Sequence, residues 1–215
     1  EQPAALRNTF RGRLQKQDGK VVLGGLAAYA KELVRAKRVI LAGQGTALHA
    51  AMIGEYLLED LASVNAEVQY ASEFRYRNPI IEEGTVVVAV SQSGETADTI
   101  AALQEAKDRG ALALGVVNVV GSTIAREAEG GIYLHAGPEI GVASTKAFTS
   151  QVCALTLFTI LMARPRSMSV LQGREILHAM SQLADKIEQV LELNDAIREL
   201  ARTYKDTANF LYLGR

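Results

Sequence analysis

The sequence lacks the features that mark secreted, membrane-bound or strongly charged proteins. Its one cysteine, Cys153, excludes a disulfide within the chain of 215 residues and fits a reducing compartment. The net charge of -1 gives no electrostatic reason to expect binding to nucleic acid or to a membrane surface. Residues 1–20 are polar and unlike a signal peptide, and the longest apolar run, Val152 to Ala163, is too short to span a bilayer. We therefore expect a cytoplasmic protein with no nucleic-acid partner and no membrane contact.

Signatures of metal and nucleotide binding are also missing. The three histidines, His49, His135 and His178, are not at metal-ligand spacing, and no HExxH or CxxC motif occurs. Gly43-Gln44-Gly45 follows a strand-like run, but Leu48 stands where a dinucleotide-binding fingerprint needs its third glycine. No Gly-Lys-Ser/Thr loop for a nucleoside triphosphate is present. The sequence predicts no metal and no cofactor, and for His49 a structural or dimer-contact role is favoured over catalysis.

Strand-like and helical segments alternate through most of the chain. The predicted strands are Arg38–Ala42, Glu67–Ala71, Thr85–Ser91, Leu112–Asn118 and Gly131–His135. The predicted helices between and after them are Thr46–Leu61, Gln92–Arg109, Ser122–Glu127 and Thr145–Ala163. This order predicts an α/β fold in which a parallel sheet is covered by helices on both faces.

The most informative motif is Ser91–Thr96, which lies between the apolar run of the third strand and the start of a helix. A helix start carries unpaired N–H groups and partial positive charge, so it attracts anions. Three hydroxyls and the Gln92 amide add donors, while Gly94 lets a ligand approach the backbone closely. The alternative is an ordinary helix start with Ser93 as N-cap and Thr96 in the first turn. Because four donors exceed what capping needs, phosphate binding is the favoured interpretation.

Two further glycine-containing segments are candidates for ligand contact. Gly43–Thr46 follows the first strand, and in a parallel sheet the carboxyl ends of the strands meet at one edge, so this turn should share a crevice with Ser91–Thr96. Gly137–Lys146 ends at a helix start, where Ser144 or Thr145 would serve as N-cap. In the functional interpretation, the backbone of Val142 and Ala143 meets sugar hydroxyls.

Outside the predicted sheet the composition changes. Residues 1–30 are expected to form an N-terminal linker and helix, 31–168 the main domain, and 169–205 a helical connector. The connector's periodicity, from Ile176 to Val190, is amphipathic and predicts packing on the domain rather than a coiled coil. Asn194 is a plausible N-cap of a further helix, and Asn209–Leu213 resembles the first strand of a second, incomplete unit over 206–215. The aromatic and charged segment Glu73–Arg77 predicts a subunit or domain contact.

Five segments together give a family resemblance that runs almost from end to end. They are Glu1–Pro3, Arg11–Leu14, Ala71–Arg77, Ser91–Thr99 and Glu139–Ala147. The chain resembles the isomerase part of the glutamine–fructose-6-phosphate aminotransferases, which is built from sugar isomerase (SIS) domains. Ser91–Thr96 is shared widely among SIS domains, whereas Ala71–Arg77 and Glu139–Ala147 narrow the resemblance to this family.

The resemblance implies a three-layer sandwich around a five-stranded parallel sheet that binds fructose 6-phosphate or glucosamine 6-phosphate. It implies that the phosphate is held by Ser91, Gln92, Ser93 and Thr96, and that the sugar is lined by Gly45, Thr46, Val142, Ala143 and Ser144. In the family, a glutaminase domain releases ammonia, and the catalytic residues of the isomerase belong to a second SIS unit and a C-terminal tail. This chain carries none of those catalytic motifs, so we expect it to be inactive alone, and we expect a homodimer because SIS domains usually pair.

One departure from the family pattern lies at Gln44–Ala47, where the family usually has Cys-Gly-Thr-Ser. Ala47 removes a hydroxyl that is expected to face the phosphosugar, and Gln44 introduces a larger amide. A second function also stays open, in which the chain is a non-catalytic SIS module that senses a phosphosugar. A helix-turn-helix segment would favour that function, and the sequence contains none.

Overall fold

In a computed structural model that describes residues 1–141 and 144–212, five parallel strands form the central sheet. These strands are β3 (Arg38–Gly43), β4 (Asn65–Tyr70), β5 (Thr85–Ser91), β6 (Leu112–Val117) and β7 (Gly130–Tyr133), and a small antiparallel hairpin joins β1 (Leu14–Gln15) to β2 (Lys20–Val21). The order of the strands across the central sheet is β4-β3-β5-β6-β7, and every neighbouring pair is parallel. The predicted α/β fold with a five-stranded parallel sheet is confirmed.

The central strand β5 shows why the sheet is covered on both faces. All seven of its residues are buried, and its side chains alternate between two apolar clusters. Val86, Val88 and Val90 face one cluster, whereas Val87 and Ala89 face the other. A continuous β-branched run is typical of a strand buried on both faces, because each face must meet a layer of helices.

The helices form the two outer layers and a C-terminal extension. The longest, α3 (Gly45–Ala62) and α7 (Lys146–Ala163), pack against each other on the first face, while α4 (Ala71–Phe74), α5 (Ala97–Asp108) and α6 (Thr123–Glu127) cover the second. The remaining helices are α1 (Gln2–Phe10), a 3-10 turn (Gly24–Tyr29), α2 (Ala30–Arg35), α8 (Val170–Ser181), α9 (Leu183–Leu191) and α10 (Asn194–Tyr204). The 3-10 turn covers the edge strand β7, where the backbones of Gly25 and Gly131 approach so closely that a Cβ on Gly25 would lie 2.3 Å from the Gly131 carbonyl oxygen.

One helix of the described residues, α7, is long and apolar enough to cross a membrane by length and composition. Two thirds of it (67%) is buried inside the fold, which is typical of the core helix of a globular domain. Its residue Cys153 is buried, and burial raises the pKa of the thiol to about 12, so the side chain behaves as a small hydrophobic group.

Several predicted boundaries are corrected by the structure. The helix after β5 begins at Ala97 rather than Gln92, because Gly94 adopts a positive φ of 68° and the loop amides bond to side chains. The amphipathic connector does pack on the domain, but as two helices, α8 and α9, that are joined at Gln182. No strand forms over residues 209–212, which belong to neither sheet, and Leu213 lies outside the described residues. A strand needs a neighbour for its backbone hydrogen bonds, and this segment has none.

Candidate functional site

The carboxyl ends of β3 and β5 lie side by side and open into one small cavity. Its volume is about 130 Å³, and its lining combines the turn after β3 with the loop after β5. The lining residues are Gln44, Thr46, Ala47, Val90, Ser91, Gln92, Ser93, Thr96 and Thr99. Neighbouring strands of a parallel sheet deliver their loops to the same edge, so this crevice follows from the topology.

The 91–96 loop is organised by its own hydroxyl groups. The Oγ of Ser91 accepts a hydrogen bond from the Gly94 amide at 3.0 Å and lies 3.3 Å from the Thr96 Oγ1. The Oγ of Ser93 accepts from the Glu95 amide at 3.1 Å. Ser93 is therefore not the N-cap of α5, a position that Thr96 occupies without a capping side-chain bond. Because the Ser93 oxygen accepts inside the loop, its proton stays available to donate outward.

A neighbouring helix start holds the 91–96 loop in place. The amide of Ile124 donates to the Gly94 carbonyl at 3.0 Å, and the Thr123 amide donates to the Glu95 carboxylate at 2.8 Å. Hydrogen bonds from the hydroxyl and amide of Thr123 lower the pKa of Glu95. A Cβ on Gly94 would lie 2.1 Å from the Ser122 Oγ, so this position accepts only glycine without rearrangement. No local pattern predicts the role of Glu95, because its partner Thr123 is 28 residues away.

A buried asparagine at the end of β6 links the same edge to the next strand. The Asn118 amide donates to the Gln92 carbonyl at 3.1 Å, and the Asn118 side chain donates to the Gly137 carbonyl at 2.8 Å. The Asn118 Oδ1 in turn accepts from the Ala136 amide at 2.9 Å. These three bonds join the 91–96 loop to the chain that leaves β7, although the sequence marked Asn118 only as a strand end.

In the turn after β3, Thr46 and Gln44 reach the cavity, whereas Gly45 does not line it. Gln44 is the N-cap of α3 and makes no capping bond, and Ala47 is 6% exposed. Gly45 has a positive φ of 54°, and its carbonyl lies 2.8 Å from the Nδ1 of His49. A carbonyl can only accept, so this contact requires the tautomer that carries its proton on Nδ1.

The third predicted contact segment leads from Glu139 into α7. Val142 and Ala143 lie outside the described residues, and Ser144 does not line the cavity. The Glu139 Oε1 accepts from the amides of Thr145 (2.7 Å) and Lys146 (2.9 Å). Its Oε2 accepts from the Ser144 hydroxyl at 2.9 Å and the Ala147 amide at 3.3 Å. Thr145 is the N-cap residue of α7, one of the two that the sequence predicted, but it makes no side-chain capping bond. The amides of the first turn bond instead to the Glu139 carboxylate and to the Ser144 hydroxyl, which accepts from the Phe148 amide at 3.1 Å.

These contacts determine the ionisation of Glu139. Burial raises the pKa of this carboxyl, but the bonds from the Thr145 amide, the Ser144 hydroxyl and two further amides outweigh that effect and leave the pKa below its ordinary value. The first turn of α7 also holds the N-terminus of the chain, because Lys146 forms an ion pair with Glu1 and Gln2 donates to the Thr149 hydroxyl at 3.0 Å.

The chemistry of the cavity suits a small anion. Among the described residues, its lining includes no Lys or Arg, so hydroxyls, amides and the positive end of α5 supply the attraction. A volume of about 130 Å³ is below the usual range for a whole ligand site but fits a compact group such as phosphate. A larger cavity of about 350 Å³ lies beside β7 and Arg13, and it shares no lining residue with the first.

No group of three or more His, Cys, Asp or Glu in residues 1–141 and 144–212 is arranged to hold a metal ion.

The segment Glu73–Arg77 divides into two parts: Phe74 is fully buried in the core, so it cannot serve the predicted contact. Tyr76 is 73% exposed, with the Arg75 guanidinium 4.7 Å from its ring centre. Any contact role of this segment therefore belongs to its exposed residues.

Comparisons with known proteins agree with this geometry. The sequence model of the SIS domain family matches residues 32–161. Glutamine–fructose-6-phosphate aminotransferase [isomerizing] from Chlorobaculum tepidum is 51% identical over all of this chain, which spans 35% of that relative. The human enzyme named glutamine–fructose-6-phosphate aminotransferase [isomerizing] 2 is 43% identical, and the chain spans 32% of it.

Among solved structures, the C-terminal domain of glucosamine-fructose-6-phosphate aminotransferase from Francisella tularensis superposes with a TM-score of 0.89 at 33% identity. That match covers all of this chain and 60% of the Francisella domain. The family model covers more than half of the chain, and the fold and motifs agree with it. The protein therefore belongs to the SIS domain family, as its sequence motifs predicted.

Proposed function

We propose that the chain is the phosphosugar-binding first SIS unit of a glutamine–fructose-6-phosphate aminotransferase. The observation that carries this proposal is the convergence of the turn after β3 and the 91–96 loop on one donor-rich cavity at the start of α5. Its ligand is fructose 6-phosphate, the substrate, or glucosamine 6-phosphate, the product. The identity of 51% to the Chlorobaculum enzyme supports this choice among phosphosugars.

The phosphate is held at the start of α5. The outward-facing hydroxyl of Ser93, the Thr96 hydroxyl and the first amides of the helix donate to its oxygens, and the Gln92 amide and Ser91 complete the set. The sugar extends from this small cavity toward the solvent. As the family resemblance implies, the residues that contact the sugar are Gly45, Thr46, Val142, Ala143 and Ser144.

The full-length protein makes glucosamine 6-phosphate from fructose 6-phosphate and glutamine, and this chain supplies binding rather than chemistry. Among residues 1–141 and 144–212, the cavity lining contains no carboxylate, imidazole or amine that could move a proton between C1 and C2. Glu139 is unsuited to act as a base, because hydrogen bonds to its carboxylate hold its pKa low. The chain alone therefore catalyses neither amide transfer nor isomerisation.

In this proposal the chain has three further partners. Two are a glutaminase domain and a second SIS unit of the same protein, and the third is a second copy of the protein in a cytoplasmic homodimer. This chain spans 35% of the Chlorobaculum relative, and the rest of that relative's length leaves room for both domains. The apolar side chains Ile197, Leu200 and Tyr204 of α10 are exposed, as expected where a further unit packs. Exposed Tyr56 and Tyr76 are candidates for the contact between copies.

Calorimetry with fructose 6-phosphate and fructose tests the proposal. We expect binding of the phosphorylated sugar only, since the donors converge on the phosphate. Ser93→Ala should weaken fructose 6-phosphate binding by about 0.5–3 kcal/mol, the range for one hydrogen bond. Ser181→Ala removes an exposed hydroxyl at the end of α8 and is the matched control. Equal affinities for the two sugars would refute phosphate recognition. If Ser93→Ala left the affinity for fructose 6-phosphate unchanged, Ser93 would have only a structural role.

A further inference from the structure

The carboxylate of Glu139 has no capacity left for a ligand. Each of its oxygens has two lone-pair directions, and each accepts two hydrogen bonds, from Thr145 and Lys146 on Oε1 and from Ser144 and Ala147 on Oε2. The side chain is therefore saturated by its own chain. It can neither accept from a sugar hydroxyl nor take up a proton without giving up one of these bonds.

The same contacts restrict the hydroxyl of Ser144. Its proton is donated to Glu139, and its oxygen accepts from the Phe148 amide at 3.1 Å. One lone pair remains, so toward any ligand Ser144 acts only as an acceptor. If the Glu139 carboxylate were absent, the hydroxyl could rotate and donate instead.

Glu139 also fastens Ser144 to a long, largely buried helix of the domain. The helix α7 spans 18 residues, packs against α3 and α1, and is largely buried. Its N-cap residue, Thr145, makes no side-chain capping bond, and the first-turn amides bond instead to Glu139, six residues upstream of Thr145, and to the Ser144 hydroxyl. A single side chain thus ties Ser144 to the start of α7.

We propose that Glu139 is a positioning residue for sugar recognition: it fixes Ser144 against α7 and orients its hydroxyl to accept from a sugar hydroxyl. This inference rests on the proposed function, in which Ser144 contacts the sugar. Glu139 itself does not touch the ligand. The phosphate site at the start of α5 is separate, because neither Glu139 nor Ser144 lines that cavity.

Calorimetry on the 215-residue chain with fructose 6-phosphate and with inorganic phosphate tests this role. We expect Glu139→Gln to weaken binding of fructose 6-phosphate about tenfold and to leave the affinity for inorganic phosphate within twofold. Ser144→Ala should produce a similar selective loss. The double variant should be no weaker than either single variant, since both remove the same contact. Glu59→Gln removes the charge of an exposed carboxylate on α3 and is the control.

The outcomes separate the two proposals. If the unchanged chain binds inorganic phosphate as tightly as fructose 6-phosphate, or binds neither, the proposed function fails and this inference fails with it. If the unchanged chain binds the sugar phosphate selectively, an unchanged Glu139→Gln affinity overturns the positioning role alone. An equal loss for both ligands, or additive losses in the double variant, would reduce Glu139 to a helix cap. If Glu139→Gln does not fold, Ser144→Ala carries the same comparison of ligands, because it leaves Glu139 to cap α7.

Discussion

The Glu95 carboxylate in the 91–96 loop accepts a hydrogen bond from a distant element of the fold, whereas the Glu139 carboxylate accepts hydrogen bonds from residues close to it in sequence. Glu95 accepts from Thr123, 28 residues later, and so depends on how α6 packs beside α5. Glu139 binds residues five to eight positions later, at the start of the next helix. The 91–96 loop is therefore held by tertiary packing, whereas Glu139 is held by bonds to residues near it in sequence, and the two sites should respond differently to substitution.

The largest expected effect is that of Gly94→Ala, which should disrupt the 91–96 loop and therefore the proposed phosphate site. The added Cβ would meet the Ser122 Oγ at 2.1 Å, and alanine would have to adopt a φ of 68°. We expect an unfolding free energy lower by about 1–3 kcal/mol from the strain and more than tenfold weaker fructose 6-phosphate binding. Denaturant unfolding and calorimetry measure the two effects.

The matched control is Gly137→Ala, which has a similar φ of 75°, with no atom of the described part of the chain within 4 Å of the added Cβ. It should lose stability from the backbone strain alone and keep its affinity within about twofold. Equal losses of affinity in the two variants would mean that the contact between Ser122 and Gly94 does not hold the 91–96 loop.

A smaller effect is expected of Ala47→Ser, which tests whether the turn after β3 shares the ligand with the 91–96 loop. The added hydroxyl faces the common cavity, and a donor to a charged acceptor contributes roughly 1.5–3 kcal/mol when well aligned. Near the lower end of that range, sugar-phosphate binding should tighten about tenfold by calorimetry.

Gln44→Ala is the companion variant, since Gln44 lines the same cavity and its amide would occupy the place of the added hydroxyl. A neutral Ala47→Ser together with a weakened Gln44→Ala would assign the contact to Gln44. If neither substitution changed the affinity, the turn would not contact the ligand, and the site would have to be placed elsewhere.

The smallest expected effect concerns the pH dependence of the Glu139 cap. Because the folded pKa of Glu139 lies below its ordinary value of 4.5, its contribution to stability is present above that value and is lost as pH falls through the folded pKa. At pH 7, Glu139→Gln should unfold with about 1 kcal/mol less free energy, a typical cost of losing a cap. Urea unfolding between pH 7 and pH 3 should show the difference from the unchanged chain narrowing. A difference that stays constant or grows toward acid would contradict the cap.

The strands were predictable because their signal is local. β5 was predicted at its observed bounds from a continuous β-branched run, and the glycine and hydroxyl pattern of 91–96 marked a loop at a helix start. The break at Gln182 and the absence of a strand over 209–212 were not predictable, since both depend on which neighbours are present. The predicted ligand contacts of Ser91, Gln92, Ser93, Thr96 and Thr46 converge on one cavity, but their ligand stays a prediction.

The sequence by itself determined the alternation of strands and helices, the parallel sheet and the donors after β5, because periodicity and helix-start chemistry act over a few residues. Tertiary structure decided what the two glutamates do. Glu95 has no partner until α6 packs beside α5, and Glu139 becomes a cap only because the fold brings the amides at the start of α7 within reach of its carboxylate. A carboxylate finds its hydrogen-bond donors through space, so its role depends on which helix start the folded chain brings within reach.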